Sequence, residues 1–238
     1  ASGMASVGLI PIVSTFSCFI VSRAHDSIRV LIAQPKANVK MMGGYAGLLA
    51  GMTGKTHLMF DDVSIMRAMA NMTVVAPADE VETRKALAAV IEYDGPVYFR
   101  LTRPNTPILF DAGYEFELGK VVTVKEGSDV TVFSTGTQTS RAFEAAEALA
   151  ADGIAARVVS MPSVDRFEAQ DEDDRSSVLP DAVPVLSVEA GVTFGWAAHA
   201  DASIGIDRFG ASAPGTLVLE KLGINAQHVA ESATALVN

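Results

Sequence analysis

Apolar and β-branched runs alternate with helical patterns along most of the chain. Leu9 to Val13 reads as a strand, and Arg23 to Ala33 carries apolar residues at helical spacing. Val39 to Met42, Thr73 to Ala76 and Val97 to Leu101 read as further strands, with helices over Asp61 to Ala70 and Asp79 to Tyr93 between them. The second of these helices has a marked start: Asp79 is a good N-cap, and Glu82 completes a capping box. Alternation of this kind is what a parallel sheet with crossover helices produces. It breaks over Arg103 to Phe116, RPNTPILFDAGYEF, whose Pro, Asn, Asp and Gly have no helical period and read as a linker. It resumes with strands at Lys120 to Lys125 and Val130 to Ser134, then an alanine-rich helix over Thr139 to Asp152 closed by Gly153. Strands follow at Ala155 to Ser160 and Val183 to Val188, with a short one at Leu217 to Leu219. The acidic stretch Asp165 to Asp174 reads as a solvated connection or short helix. The expected fold class is α/β in two domains.

Composition narrows the function. The 238 residues include 18 Lys and Arg against 28 Asp and Glu, a formal charge of −10, and 49% are hydrophobic. A core is easily buried, and the acidic balance argues against a nucleic-acid surface, which needs clustered Lys and Arg. A single cysteine, Cys18, excludes an internal disulfide framework and fits a reducing, cytoplasmic setting. Val7 to Val21 is the most apolar stretch, 15 residues with Pro11 inside it, whereas a membrane span needs about 20 apolar residues. It reads as a buried strand running into a loop, with neither anchor nor leader expected.

Few motifs survive inspection on their own. Gly51 to His57, GMTGKTH, contains Gly-Lys-Thr, but a phosphate-cradling loop needs a glycine where this chain has Leu49. Cys18 has apolar neighbours that would not activate a thiol, so it reads as a packing residue. No Gly-x-Ser-x-Gly elbow occurs, and His25, His57, His199 and His228 lack metal-ligand spacing. Only His57 sits in a glycine-rich loop, where functional residues concentrate.

Several ordered blocks resemble the transketolases, which are thiamine-diphosphate enzymes. Similar to their pyrimidine-binding domain are STF at Ser14 to Phe16, RAHDSIR at Arg23 to Arg29, and Thr56-His57 followed by Asp61. Arg67 with Asn71 and Met72, APAD at Ala76 to Asp79, EYDGPVYFR at Glu92 to Arg100, and Arg103 continue the match. VSMPS at Val159 to Ser163, the run to Pro180, VEAG at Val188 to Gly191 and FGASAP at Phe209 to Pro214 resemble the C-terminal domain. The resemblance implies two three-layer α/β/α domains with mainly parallel sheets: a pyrimidine-binding domain over 1–110, incomplete at its N-terminus, and a C-terminal domain over 118–238. It implies the smaller subunit of a transketolase split into two polypeptides, moving a two-carbon ketol unit from a ketose (phosphate) donor to an aldose acceptor. Thiamine diphosphate would be the cofactor, with Mg or Ca held by a large diphosphate-binding subunit. Two copies of this chain would pair within an α2β2 heterotetramer. The apolar Gly43 to Gly54 loop and the Phe16 to Phe19 segment lack an obvious cover and are expected at that interface.

The resemblance also assigns roles. Phe16 and Phe19 match the aromatic pair that stacks on the cofactor's aminopyrimidine, and Arg23 lies near that pocket. His57 matches the histidine facing the substrate carbonyl, a role that suits imidazole because it titrates near neutrality. Arg103 matches the arginine that grips a sugar phosphate, and its guanidinium suits bidentate recognition. Tyr45 and Thr53 stand where the family has a histidine and an aspartate that read sugar hydroxyls, so substrate identity is open. The stretch between them is unusually apolar for a sugar site. A family glutamate that hydrogen-bonds the aminopyrimidine falls before the position matched by Ala1, so the chain as given is expected not to activate the cofactor by itself. Two other readings stand beside this one. A β subunit of a 2-oxo-acid dehydrogenase is opposed by VSMPS and FGASAP; the other reading is a non-catalytic structural or regulatory subunit.

Overall fold

In the computed structural model, which describes residues 1–180 and 182–238, the apolar runs assemble into two sheets. Short helices α1 (Ser2–Ala5) and α2 (His25–Ile28) flank strand β1 (Ile12–Phe16), and β2 (Lys40–Gly44) follows. Helix α3 (Asp62–Arg67), β3 (Thr73–Val75), α4 (Glu80–Glu92) and β4 (Val97–Arg100) complete a four-stranded parallel sheet of order β1-β2-β4-β3. After the 103–116 segment come β5 (Val122–Lys125), β6 (Val130–Ser134), α5 (Thr139–Ala151), β7 (Ala156–Ser160), α6 (Val164–Glu168) and α7 (Glu172–Val178). Then β8 (Val185–Val188), β9 (Ala202–Ile204), α8 (Gly215–Lys221) and α9 (Ala226–Val237) close the fold. The second sheet runs β5-β7-β6-β8-β9, and its pairs are parallel except for β5 against β7. Both expected sheets are present, mostly parallel, with helices packed around them.

Several boundaries moved for physical reasons. β1 starts at Ile12 rather than Leu9 and runs on to Phe16, because Pro11 has no N–H for the ladder and only its carbonyl pairs, accepting from Lys40 N. The expected helix over Arg23 to Ala33 is a succession of tight and wide turns. Ala24 N donates to Phe19 O and Gln34 N to Arg29 O, so π-helical turns bracket α2. Leu217 to Leu219 is helical, not a strand: Pro214 presets the turn before α8, and Val218 and Leu219 are buried while Leu217 is exposed. The acidic stretch spans α6 and α7.

The two sheets meet along the end of β3. Val74 O accepts from Ser163 Oγ, Ala76 N donates to Pro162 O, and Gly136 N donates to Ala76 O. The 103–116 segment has no regular structure, yet it is fastened to the N-terminus of α4. Asp79 Oδ1 caps Glu82 N while its Oδ2 accepts from Leu109 N and Phe110 N. Glu82 accepts from Ala78 N at 2.6 Å and from Tyr114 Oη at 2.8 Å.

Burial pushes the Glu82 carboxyl up from 4.5 to about 7, against the pull of its two donors, and Asp79 beside it adds to the rise. Asp165, next to β3, is likewise pushed up by burial, from 3.8 to about 6. Both acids have folded-state values above their unfolded ones, so the fold favours their protonated forms. Stability should therefore be greatest near pH 4 and fall as pH rises toward 7. Glu82 alone contributes up to about 3 kcal/mol of that loss, at roughly 1.4 kcal/mol per pH unit. Urea denaturation between pH 4 and 8 checks this. Glu82→Gln, which keeps an acceptor for Ala78 N and gains a donor for Tyr114, should flatten about half of the slope, the rest belonging to Asp165.

Candidate active site

Six of the seven residues that the resemblance singles out converge at the carboxyl ends of β1, β2 and β4, where open parallel sheets present their ligand crevices. Phe16 ends β1, and its ring stacks on Tyr45 with centroids 4.0 Å apart and planes within 12°. Phe19 lies alongside Phe16 at 5.6 Å. His57 meets both rings edge to face, 5.7 Å from Phe16 and 5.4 Å from Phe19. Arg23 sits 4.5 Å above the Phe19 ring, held there by the wide turn between them, and Arg103 sits 5.3 Å above Tyr45. Six side chains thus form one shelf of half-buried rings with a guanidinium at each end.

Local backbone explains the gathering. Gly43, the penultimate residue of β2, has to be glycine because the Tyr98 ring crosses beneath it, 2.5 Å from where a Cβ would stand. Two residues on, Tyr45 adopts a left-handed turn with φ of 60°, an uncommon conformation for a bulky residue. That turn brings its ring back over Phe16. His57 Nδ1 lies 2.9 Å from Thr56 Oγ1, which orients the imidazole.

Thr53 does not join the cluster. Its hydroxyl donates to Ala50 O at 2.8 Å within its own turn. The apolar character of the Tyr45 to Thr53 stretch also has a different origin from the one the sequence suggested. Leu48 and Ala50 are buried in the core of the second sheet, so that part of the loop is covered by its own chain, while Met52 stays exposed. Cys18 is buried, and burial pushes its thiol up, as befits a packing residue. Among the described residues no three His, Cys, Asp and Glu side chains are grouped to hold a metal ion.

One buried network was not anticipated. Arg100 donates from Nε to Asp62 Oδ2 at 2.8 Å and from Nη1 to Glu189 Oε1 at 2.5 Å, and Tyr98 Oη donates to the same Asp62 oxygen at 2.7 Å. Burial works against the Arg100 charge, but Asp62 and Glu189 more than offset it and hold the guanidinium firmly protonated. Burial pushes the Glu189 carboxyl up even though Arg100 pulls it down. The network joins β4, the start of α3 and the end of β8. The only sequence signal was position: Arg100 and Glu189 each end an otherwise apolar strand.

Fold and site define a mostly parallel α/β protein of two sheets, with a row of stacked aromatic rings at the carboxyl ends of the first sheet's strands. Residues 1–108 match the model of the transketolase pyrimidine-binding domain, and residues 119–225 match that of the transketolase-like C-terminal domain. The chain belongs to the transketolase family. It is similar to a 6-deoxy-6-sulfo-D-fructose transketolase subunit of Clostridium sp. (strain MSTE9), 34% identical over 245 residues that cover 98% of this chain and 76% of that protein. It is also 40% identical over 166 residues to a Methanocaldococcus jannaschii protein provisionally named transketolase C-terminal section, covering 69% of this chain and 52% of that protein. The chain thus spans about half the length of that relative. A solved split-gene transketolase, described as an inactive β4 tetramer, superposes with a TM-score of 0.87 at 32% identity, over 100% of this chain and 79% of that one. No helix among the described residues is long and apolar enough to cross a membrane.

Proposed function

We propose that this chain is the smaller polypeptide of a two-part transketolase, transferring a two-carbon ketol unit from a ketose (phosphate) donor to an aldose acceptor. Its two domains are taken to be residues 1–110 and 118–238. The observation that carries the reading is the shelf of Phe16, Phe19 and Tyr45 with His57 at its edge, inside a pyrimidine-binding domain of this family. A half-buried row of rings fits the planar aminopyrimidine of thiamine diphosphate, which when bound supplies the nucleophilic carbon of the reaction. Phe16 and Phe19 would hold that ring, with Arg23 at its border. His57 passes a proton to or from the substrate oxygen, held in place by Thr56 and the two phenylalanine edges. Arg103, fixed over Tyr45, offers its guanidinium to the anionic end of a sugar phosphate.

The diphosphate and its Mg or Ca ion are left to a large subunit, and the split arrangement supports reading the enzyme as a cytoplasmic α2β2 assembly. Partner contacts are supported by the exposed apolar side chains of Val7, Leu9, Ile10 and Ile12 on and before β1, and of Val30 and Leu31. Sugar selection departs from the family at Tyr45, which stacks, and at Thr53, whose hydroxyl is engaged within its own turn. The test is co-expression with the adjacent large-subunit gene and a ketol-transfer assay over a panel of sugars and aldehydes. Transfer that needs both chains supports the reading. Decarboxylation of pyruvate would move the assignment to a 2-oxo-acid dehydrogenase, and an inert complex would favour a structural subunit.

A further inference from the structure

The His57 loop springs from the first sheet but is packed by the second domain. Leu48, Ala50, Leu58 and Phe60, on either side of His57, are buried in one cluster with Val130, Val132, Leu186 and Val188. At two points backbone meets backbone with no side chain between. A Cβ on Gly215 would overlap the Leu49 carbonyl oxygen, and a Cβ on Gly51 would overlap that of Ala213. Farther along, Val192 N donates to Phe60 O at 2.8 Å, and a Cβ on Gly191 would stand 2.6 Å from that oxygen. Phe209 meets Phe60 edge to face at 6.0 Å, and a Cβ on Gly210 would lie 2.9 Å from Leu58 Cδ1. Beyond a single 3₁₀ turn at Gly51–Thr53, the loop between β2 and α3 has no helix or strand to hold it. Ala46 N donates to Leu101 O, Gly47 N donates to Met59 O, and Met59 is buried in one cluster with Val63 and Met66, which fastens the base of the loop to the first sheet. The height of the stretch between Leu48 and Phe60 over the ring shelf is set by the second-domain contacts.

We infer that the second domain is a positioning element for the reaction, with Gly215 as its key residue. Where Gly215 passes under Leu49, a Cβ would stand 2.0 Å from the Leu49 carbonyl oxygen, so the loop and the start of α8 must move apart by about 1 Å. We take the loop, which has less regular structure, to be the part that moves. The loop carries His57, and its imidazole must still meet the edges of Phe16 and Phe19. A misplacement of about 1 Å can cost roughly 10²-fold in rate. The kinetic part of this inference rests on the reading of His57 as the proton-transferring group; the positional part does not.

The test uses proton NMR of the full chain. Packed edge to face against two phenylalanine rings, the carbon-bound protons of His57 carry ring-current shifts, and loss of their signals in His57→Gln identifies them among the four histidines. In Gly215→Ala these signals should move toward the positions of an unstructured histidine, while those of His199 and His228 stay. Leu149→Ala is the control. It opens a cavity in the same core, on α5 beside α9, and should destabilise the fold without moving the His57 signals. Gly51→Ala, from the loop side, and Phe209→Ala, at an exposed ring, carry the same readout should Gly215→Ala fail to fold. In the two-polypeptide enzyme Gly215→Ala should lower turnover about 10²-fold while folded Leu149→Ala keeps it. His57 signals that stay in place in the folded glycine variants overturn the inference. Signals that move while turnover holds leave the positioning intact and remove His57 from the chemistry.

Discussion

Replacing Arg100 by methionine should cost about 3–5 kcal/mol, because it leaves two buried carboxylates without their shared cation. Asp62 is fully buried and Glu189 nearly so, and Arg100 donates to both. Against a typical stability of about 5–15 kcal/mol, such a loss leaves the fold marginal. The sign of the pH effect separates this mechanism from a simple packing defect. Without Arg100 the Glu189 carboxyl loses the partner that lowers it, so its folded-state value rises further above the unfolded one. The variant should therefore be most nearly normal in acid and weaken steadily as pH rises, with the largest deficit near pH 8. Urea melts at pH 5 and pH 8 measure it directly, and an equal deficit at both would show that the carboxylates are not what the arginine serves. Pairing Arg100→Met with Glu189→Leu should recover part of the loss, since the pair is then replaced by apolar groups of similar volume. The network bridges the two domains, so the recovered protein also tests whether their coupling needs the charge.

What the sequence made legible were the features governed by local rules. The strand cores, the N-cap at Asp79 and the long helices α4 and α5 follow from periodicity and capping, which neighbours in sequence decide, whereas α9 was not read from the sequence. The ring shelf was legible only through resemblance: nothing in spacing alone brings Phe16, Tyr45, His57 and Arg103 together from separate strand ends. What failed was set by tertiary contact. Leu217 to Leu219 is too short an apolar run to tell strand from helix, and packing on the loop decided it. Lys40 opens β2 and is fully buried, because its ammonium reaches the carbonyls of Tyr93 and Gly95 just past the end of α4, a partnership no window of sequence reveals. Burial draws that ammonium down to about 8, with Asp94 opposing. The apolar Tyr45 to Thr53 stretch misled in an instructive way. Its hydrophobicity was read as a property of the substrate, whereas Leu48 and Ala50 are core residues of a domain that begins far downstream.

The largest kinetic effect is expected at His57. Its ring is held by Thr56 at Nδ1 and by two aromatic edges, leaving Nε2 as the nitrogen free to work on a substrate oxygen. Removing a positioned acid–base group costs about 10²–10⁴-fold, so His57→Ala in the two-polypeptide enzyme should lose turnover on that scale. The loss should fall on kcat more than on the Michaelis constant, since proton transfer is felt in the transition state rather than in binding. Thr53→Ala supplies the contrast. Its hydroxyl already donates to Ala50 O, so deleting it removes a turn contact worth about 1 kcal/mol of stability and should leave turnover within a fewfold of the parent. Tyr45→Ala should behave as neither. It strips a ring from the face of Phe16 and frees Arg103 from its stacking partner while keeping the same left-handed backbone, so its main expected effect is on which acceptors are used. Steady-state kinetics of the three variants against one phosphorylated and one unphosphorylated acceptor discriminate these outcomes. If His57→Ala turned over within threefold of the parent while Thr53→Ala did not, the roles assigned to this loop would have to be exchanged.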